Sequence, residues 1–301
     1  MNYKNKKDKN SLVLVYIGLF FSALFWGASF VASKYALREL SPIVIITIRF
    51  LIASIIFMPV LIIYARKGRL IAKKDLLKTA FLGLLSVPIY FIFETTALTY
   101  TTAMNVGLVI AIIPIVVAIL SKKYLSEHFS WKKTIGIIIA FVGTALIITR
   151  GTINIATGLN DIIGGALALV AVLAGAAGAI LGKKLLQKYP PLLLIGNIMI
   201  TGTIFTMIIS MFMTRTYGVA GLSTAGWISL IYLGVCCSFG AYALFYFALS
   251  RLTATKASTT NFIIPLVTVI LSIMLLKETL VMPTIIGGLM ILVGVFIVMK
   301  N

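Results

Sequence analysis

Residues 103–150 recur, without a gap, as residues 254–301. Pro114 aligns with Pro265, Glu127 with Glu278, Gly136 with Gly287 and Gly143 with Gly294, and 14 of the 48 positions are identical. Composition alone would give about a tenth in so apolar a chain. Each copy closes a half that holds five apolar runs long enough to cross a bilayer. An odd number of spans per half turns the second copy upside down. The expected fold is therefore an all-α integral membrane protein. Its ten transmembrane helices form two inverted five-helix repeats, residues 1–150 and 151–301. Inverted repeats are the architecture of secondary transporters.

The spans expected from hydropathy are Leu12–Ser33, Ile43–Tyr64, Leu76–Ala97, Ala103–Leu120, Lys132–Thr149, Asp161–Leu181, Leu192–Met213, Trp227–Leu249, Lys256–Leu276 and Met282–Met299. The connections are short and leave no room for an extramembrane domain. With 61% hydrophobic and 11% charged residues, a soluble domain is excluded. The net charge of +19 does not indicate nucleic acid, because the basic residues punctuate apolar runs instead of forming a stripe with aromatics. They read as topology signals. With the N-terminus inside, inner segments hold 20 lysines and arginines and outer segments hold five, Arg49 lying within a span. Both termini are expected in the cytoplasm. Glu127 then falls inside and Glu278 outside, as inversion requires. Lys4–Asn10 is basic, but the apolar run after it is too long for a signal-peptide core and reads as a retained first span.

Several chemistries are excluded by what is missing. Gly178-Ala-Ile-Leu-Gly182-Lys183-Lys184 has too short a spacing for a phosphate loop and lacks its Ser or Thr, so active transport must run on a gradient or on exchange. Cys236 and Cys237 are helix neighbours that cannot form an ordinary disulfide. His128 is the single histidine; no metal site and no cofactor is expected, and a Ser/His/Asp set is ruled out for want of a second histidine and of a buried aspartate within a span. The protein is not expected to be an enzyme.

Phe25-Trp26-Gly27-Ala28-Ser29-Phe30, Arg49-Phe50-Leu51-Ile52-Ala53 and Ala97-Leu98-Thr99-Tyr100-Thr101-Thr102-Ala103 follow one another at set spacing. Pro114, Leu125-Ser126-Glu127, Gly136 and Val142-Gly143 complete the series. In this order, across ten spans, they resemble the EamA-like branch of the drug/metabolite transporter superfamily. The resemblance covers nearly the whole chain. It implies a ten-helix carrier, often an exporter of amino acids, metabolites or drugs, with a central cavity and alternating access.

Intramembrane polar residues mark the candidate site. A charge within a span costs about 2.5–3.5 kcal/mol on insertion scales, so Arg49 and Glu94 must face protein or water. Their depths differ by only several ångströms at 1.5 Å per residue, which suggests an ion pair that either contacts substrate or bridges spans two and three. In the second half their positions hold Ile198 and Phe245, so scaffold symmetry does not extend to charge. Tyr90 lies one turn before Glu94, and Tyr242 and Tyr246 are one turn apart. Trp26 shares a stripe with Ser22, Ser29 and Ser33. Trp26, Ser29, Arg49, Tyr90, Glu94, Tyr242, Tyr246 and Asn261 are the expected substrate-binding residues. Packing between helices is the alternative role for each aromatic. Asn105 is placed near the surface. Pro114 and Pro265 are hinge candidates at equivalent mid-span positions. Small residues in span six (Ala171, Gly175, Ala179; Gly178, Gly182) favour close packing within the bundle over a homodimer seam.

The expected activity is secondary active export of small amphipathic metabolites such as amino acids from a bacterial cell, through the cytoplasmic membrane. A multidrug or organic-cation exporter is the alternative, and it requires Glu94 to be free of Arg49 and reachable from the cavity. A passive channel ranks below both. Partners are a small-molecule substrate, membrane lipid and a proton or counter-substrate; the chain acts as monomer or homodimer.

Overall fold

A computed structural model describes residues 3–125, 130–149, 155–213, 218–258 and 263–300, which form α-helices and π-helical segments without a strand among them. The helices are α1 (Tyr3–Ala36), α2 (Pro42–Arg66), α3 (Lys73–Leu84), α4 (Tyr90–Tyr100), α5 (Ala103–Ile110), α6 (Ile113–Leu125) and α7 (Trp131–Ile148). They continue with α8 (Ile155–Leu186), α9 (Pro191–Met213), α10 (Thr224–Tyr232), α11 (Tyr242–Arg251), α12 (Ala254–Ser258), α13 (Ile263–Leu271) and α14 (Met282–Lys300). π segments join α3 to α4 at Leu85–Ile89 and α10 to α11 at Leu233–Ala241. A third, Ser272–Leu276, ends α13.

Local sequence sets many of these ends. Pro42 and Pro191 open their helices, where a missing N–H costs nothing. Thr102 and Ser223 side chains accept from the backbone N–H groups of Asn105 and Gly226 and cap α5 and α10. Span four is interrupted between Ile110 and Ile113, because Pro114 has no N–H to return to the Ile110 carbonyl. Pro114 therefore stands at an actual break. Pro265 is buried in the first turn of α13. Pro88 lies within the first π segment, where the same loss of a donor loosens the ladder.

Eight helical stretches are long and apolar enough to cross a membrane, the third being Lys73–Tyr100 and the eighth Thr224–Arg251. The expected ninth and tenth spans are represented by two shorter apolar helices, Ile263–Leu276 and Met282–Ile297. The expected ninth span includes residues 259–262, which lie outside the described residues, as do Glu127, His128, Arg150, Arg215 and Asn261.

The polarity of the bundle is that of a protein dissolved in lipid. Phe212 is 87% exposed and Phe141 70%, while Ser22, Thr203, Thr206, Ser210 and Thr268 are buried. The hydroxyls of Ser22, Thr203 and Thr268 tie helices together, as expected where no water competes, while Thr206 and Ser210 donate within α9. Ser54 and Thr203 share a hydrogen bond of 2.8 Å between α2 and α9, and Thr268 Oγ1 donates to the Gly27 carbonyl at 2.8 Å between α13 and α1. Glycines permit backbone contact between α7 and α14. A Cβ on Gly143 would lie 2.6 Å from the Gly287 carbonyl oxygen, and one on Gly287 2.5 Å from that of Gly143. Gly294 meets Gly136 in the same way. Under the 151-residue offset the pair Gly143/Gly287 becomes Gly294/Gly136, so the two contacts exchange with each other.

Two local expectations need correcting. Asn105 is not a solvated surface residue: it is 6% exposed, donates to Thr101 Oγ1 at 3.1 Å and accepts from Thr284. Asp161 supplies the buried aspartate that was expected to be missing, 7% exposed, and accepts from Thr101 Oγ1 at 2.5 Å. Both corrections have one cause: the ends of α4, α5, α8 and α14 converge there and cover polar groups that hydropathy places at a membrane surface.

Candidate functional site

The helices enclose a central cavity of about 90 Å³. Trp26, Ser29 and Phe30 of α1 form one wall; Tyr90, Phe91 and Glu94 of α4 form a second, with Ser86 of the preceding π segment. Gly175, Gly178 and Ala179 of α8 form a third, and Tyr242, Phe245 and Tyr246 of α11 a fourth. Ile110, Ile113, Val117 and Ile264 complete the lining.

The repeat orders this list. At the 149-residue offset that aligns Pro42 with Pro191, Trp26 matches Gly175, Ser29 matches Gly178 and Phe30 matches Ala179. At the 151-residue offset, Phe91 matches Tyr242, Glu94 matches Phe245 and Ile113 matches Ile264. Both members of all six pairs line the cavity. Equivalent backbone positions thus surround one space, and side-chain size differs across it. α8 presents glycine or alanine where α1 presents Trp26 and Phe30, so the α1 rings occupy room that α8 leaves. Packing of the small residues of α8 is internal: Gly175 meets Tyr90, Gly178 meets Ser86 and Gly182 meets Tyr246.

The aromatic wall is rigidly interlocked. The Trp26 ring stands edge-on to Tyr242 at 5.1 Å and lies 5.3 Å from Phe245, while Tyr90 and Phe91 meet edge-on at 4.6 Å. The Trp26 indole donates to the Cys237 carbonyl at 3.3 Å. Ser29 returns its proton to the Trp26 carbonyl at 2.7 Å. The hydroxyls of Tyr90, Tyr242 and Tyr246 make no hydrogen bond to any described residue. Three phenols with unused donors and acceptors therefore border an apolar space, the composition of a site that orients a small molecule by a few polar contacts.

Among the described lining residues Glu94 is the one carboxylate, and none is a lysine or arginine. It is 2% exposed, and its carboxylate accepts from Thr95 Oγ1 at 3.0 Å. The expected ion pair with Arg49 is not formed. Arg49 is fully buried, but its Nε donates to Ser238 Oγ at 3.0 Å in the π segment between α10 and α11. Its guanidinium lies 4.5 Å from the Phe91 ring centre and 5.2 Å from that of Phe50, and Nη1 and Nη2 have no hydrogen-bond partner. The physical reason is the π segment: its widened turn carries Ser238 to the face of α2 that bears Arg49, while Phe91 occupies the approach from α4. Arg49 consequently does not line the cavity. Trp26, Ser29, Tyr90, Glu94, Tyr242 and Tyr246 do; Asn261 lies outside the described residues, although Ile110, its equivalent in the first repeat, is in the lining.

Sequence reasoning missed Phe30, Ser86, Phe91 and the glycines of α8 as lining residues, and Ser238 as the partner of Arg49. Gly175, Gly178 and Phe91 were accessible through the repeat, as the equivalents of Trp26, Ser29 and Tyr242, whereas Phe30 and Ser86 were not. Ser238 was not, because regular 3.6-residue periodicity does not reveal a π segment.

A multi-pass helical bundle with an apolar exterior and a central ring-lined cavity is the form of a membrane transporter. The chain belongs to the EamA-like transporter family, whose sequence model matches residues 13–149 and again residues 162–300. A protein of Archaeoglobus fulgidus, named only as an uncharacterised transporter, is 35% identical over 286 residues, covering 95% of this chain and 99% of that one. The uncharacterised transporter YyaM of Bacillus subtilis is 24% identical over 281 residues, covering 93% and 92% of the two chains. A crystal structure superposes with a TM-score of 0.68 at 14% identity, covering 94% of this chain and 95% of that one, which shows a shared fold.

Proposed function

We propose that this protein is a secondary active transporter of the cytoplasmic membrane, built of ten spans in two inverted repeats. It exports small amphipathic metabolites by alternating access, with both termini in the cytoplasm. The exchange of the Gly143/Gly287 and Gly136/Gly294 contacts supports the inversion, as do the six equivalent pairs around the cavity. The distribution of lysine and arginine supports the orientation.

The observation that carries the substrate reading is the position of Glu94. It lines the cavity, forms no ion pair with Arg49, and shares the lining with the rings of Trp26, Tyr90, Phe91 and Phe245. A carboxylate among aromatic faces recognises a cationic nitrogen by charge and by cation–π attraction. This favours solutes bearing an amine on an apolar or aromatic body. It also bears on the organic-cation reading, which requires Glu94 free of Arg49 and reachable from the cavity: Glu94 lines the cavity and makes no direct contact with Arg49, although the two charges still attract each other. Amino acids fit less well, because the cavity wall offers their carboxylate the phenols of Tyr90, Tyr242 and Tyr246 but no cation.

A thermal-shift screen of purified protein against amines, amino acids, nucleosides and cationic drugs tests this. Amphipathic amines are expected to stabilise the protein, and Glu94→Gln is expected to weaken that binding by roughly tenfold or more, the value of one charge-assisted hydrogen bond. Stabilisation by anionic solutes, or amine binding indifferent to Glu94→Gln, would overturn the assignment.

A further inference from the structure

The two repeats place one lysine near each end of the bundle. Lys34 in the last turn of α1 matches Lys183 in the last turn of α8 at the 149-residue offset. Leu98 and Thr101 at the end of α4 match Leu249 and Leu252 at the end of α11 at the 151-residue offset. These helix ends lie at opposite ends of the bundle, since α8 runs antiparallel to α4. Gly164, near the start of α8, packs on Thr101, whereas Gly182, near its finish, packs on Tyr246 of α11.

The equivalent lysines are in different states. Lys183 Nζ donates to the carbonyls of Leu249 at 2.7 Å and Leu252 at 2.5 Å. An ammonium there satisfies carbonyls that α11 leaves without intrahelical partners, binds the negative end of its dipole, and ties α8 to α11. Lys34 donates no hydrogen bond among the described residues. It lines an open basin of about 410 Å³ together with Leu98 and Thr99 of the matching helix end and with Glu278. The α8/α11 seam is tied and the α1/α4 seam is not. The basin at the other end is lined by Lys184, not Lys183, and leaves the tie intact.

We propose that Lys34 and Lys183 are alternating latches of the transport cycle. Lys183 on the end of α11 holds one mouth of the cavity shut in this structure. In the opposite state Lys34 engages the carbonyls at the end of α4, and Lys183 lets go. One lysine–carbonyl contact is exchanged for another, set against the attraction of Lys34 to Glu278 and Asp161, and a solute can tip the balance. The latch rests on the alternating-access reading above and adds the residues that close each mouth.

Side-specific labelling tests it. Ser86→Cys, in the cavity lining, serves as reporter in a Cys236→Ala/Cys237→Ala background, with a membrane-impermeant methanethiosulfonate applied to either face of oriented vesicles. Lys183→Gln is expected to raise labelling from the Lys183 face relative to the Lys34 face by roughly tenfold, the worth of a charge-assisted contact. Lys34→Gln is expected to move the ratio the opposite way, Lys183→Arg to keep the parent ratio, and the double Gln variant to return towards it. A general structural defect would not produce opposite signs. Reaction from both faces with a ratio indifferent to the lysines, or moved in one direction by both, overturns the latch alone. Reaction from one face only in every variant contradicts alternating access, and the latch falls with it.

Discussion

Arg49 shows how much depends on a single side chain. It is fully buried, and its one hydrogen bond goes to Ser238. Ser238→Ala removes that acceptor and leaves the whole guanidinium without a hydrogen bond. The expected loss is about 1.5–3 kcal/mol of stability, the range for hydrogen bonds to charged groups, read from denaturant unfolding in detergent, with Ser238→Thr recovering most of it. Glu39, between α1 and α2, makes a different prediction. Its carboxylate accepts from the Ser223 hydroxyl at 2.6 Å and from the Ser223 N–H at 2.8 Å, and these bonds hold its pKa below the ordinary glutamate value. The stabilisation is therefore complete above that ordinary value and disappears as pH falls through the lowered one. Wild type is expected to outlast Ser223→Ala in thermal unfolding at neutral pH, and the gap is expected to narrow in acid to what the lost cap of α10 costs. The sequence made Glu94, Tyr90 and Tyr242 legible as cavity-lining residues, because an intramembrane carboxylate and one-turn spacings are visible in one dimension. It misdirected the reading of Arg49, because matching depth along two helices says nothing about which faces they turn to each other.

At the scale of elements, close approach of α7 and α14 rests on glycine. Gly143→Ala would drive a Cβ against the Gly287 backbone, which cannot yield as a side-chain tip can, and is expected to cost about 1–3 kcal/mol. Gly18→Ala, whose Cβ would meet only Leu244 at 3.4 Å, is expected to be neutral or mildly stabilising in the same unfolding assay, since alanine is the better helix former. The equivalence of Gly136, Gly143, Gly287 and Gly294 was readable from the repeat, and so was the break that Pro114 imposes on span four. The π segments at Leu85–Ile89 and Leu233–Ala241 were not. They fall at corresponding places in spans three and eight, the two that contribute most of the aromatic lining, and shift the facing of residues beyond them.

At the scale of the molecule, length, hydropathy and the repeat were sufficient for an all-helical membrane protein, and the ordered motifs from Phe25 to Gly143 carried the resemblance to the EamA-like family. The cavity's location was implicit in the same repeat, since positions equivalent under it converge on one space. Its chemistry lies in where equivalence fails: Glu94 against Phe245, Trp26 against Gly175. One carboxylate in an aromatic-lined cavity is the basis for reading the protein as a carrier of amphipathic amines. Counterflow in proteoliposomes tests that reading most directly, with an unlabelled aromatic amine such as phenylethylamine loaded inside and a trace of the radiolabelled compound outside. Transient accumulation of label above equilibrium is expected, abolished by Glu94→Gln. Uptake that only approaches equilibrium without overshoot, as through a passive channel, or overshoot that survives Glu94→Gln unchanged, would contradict it.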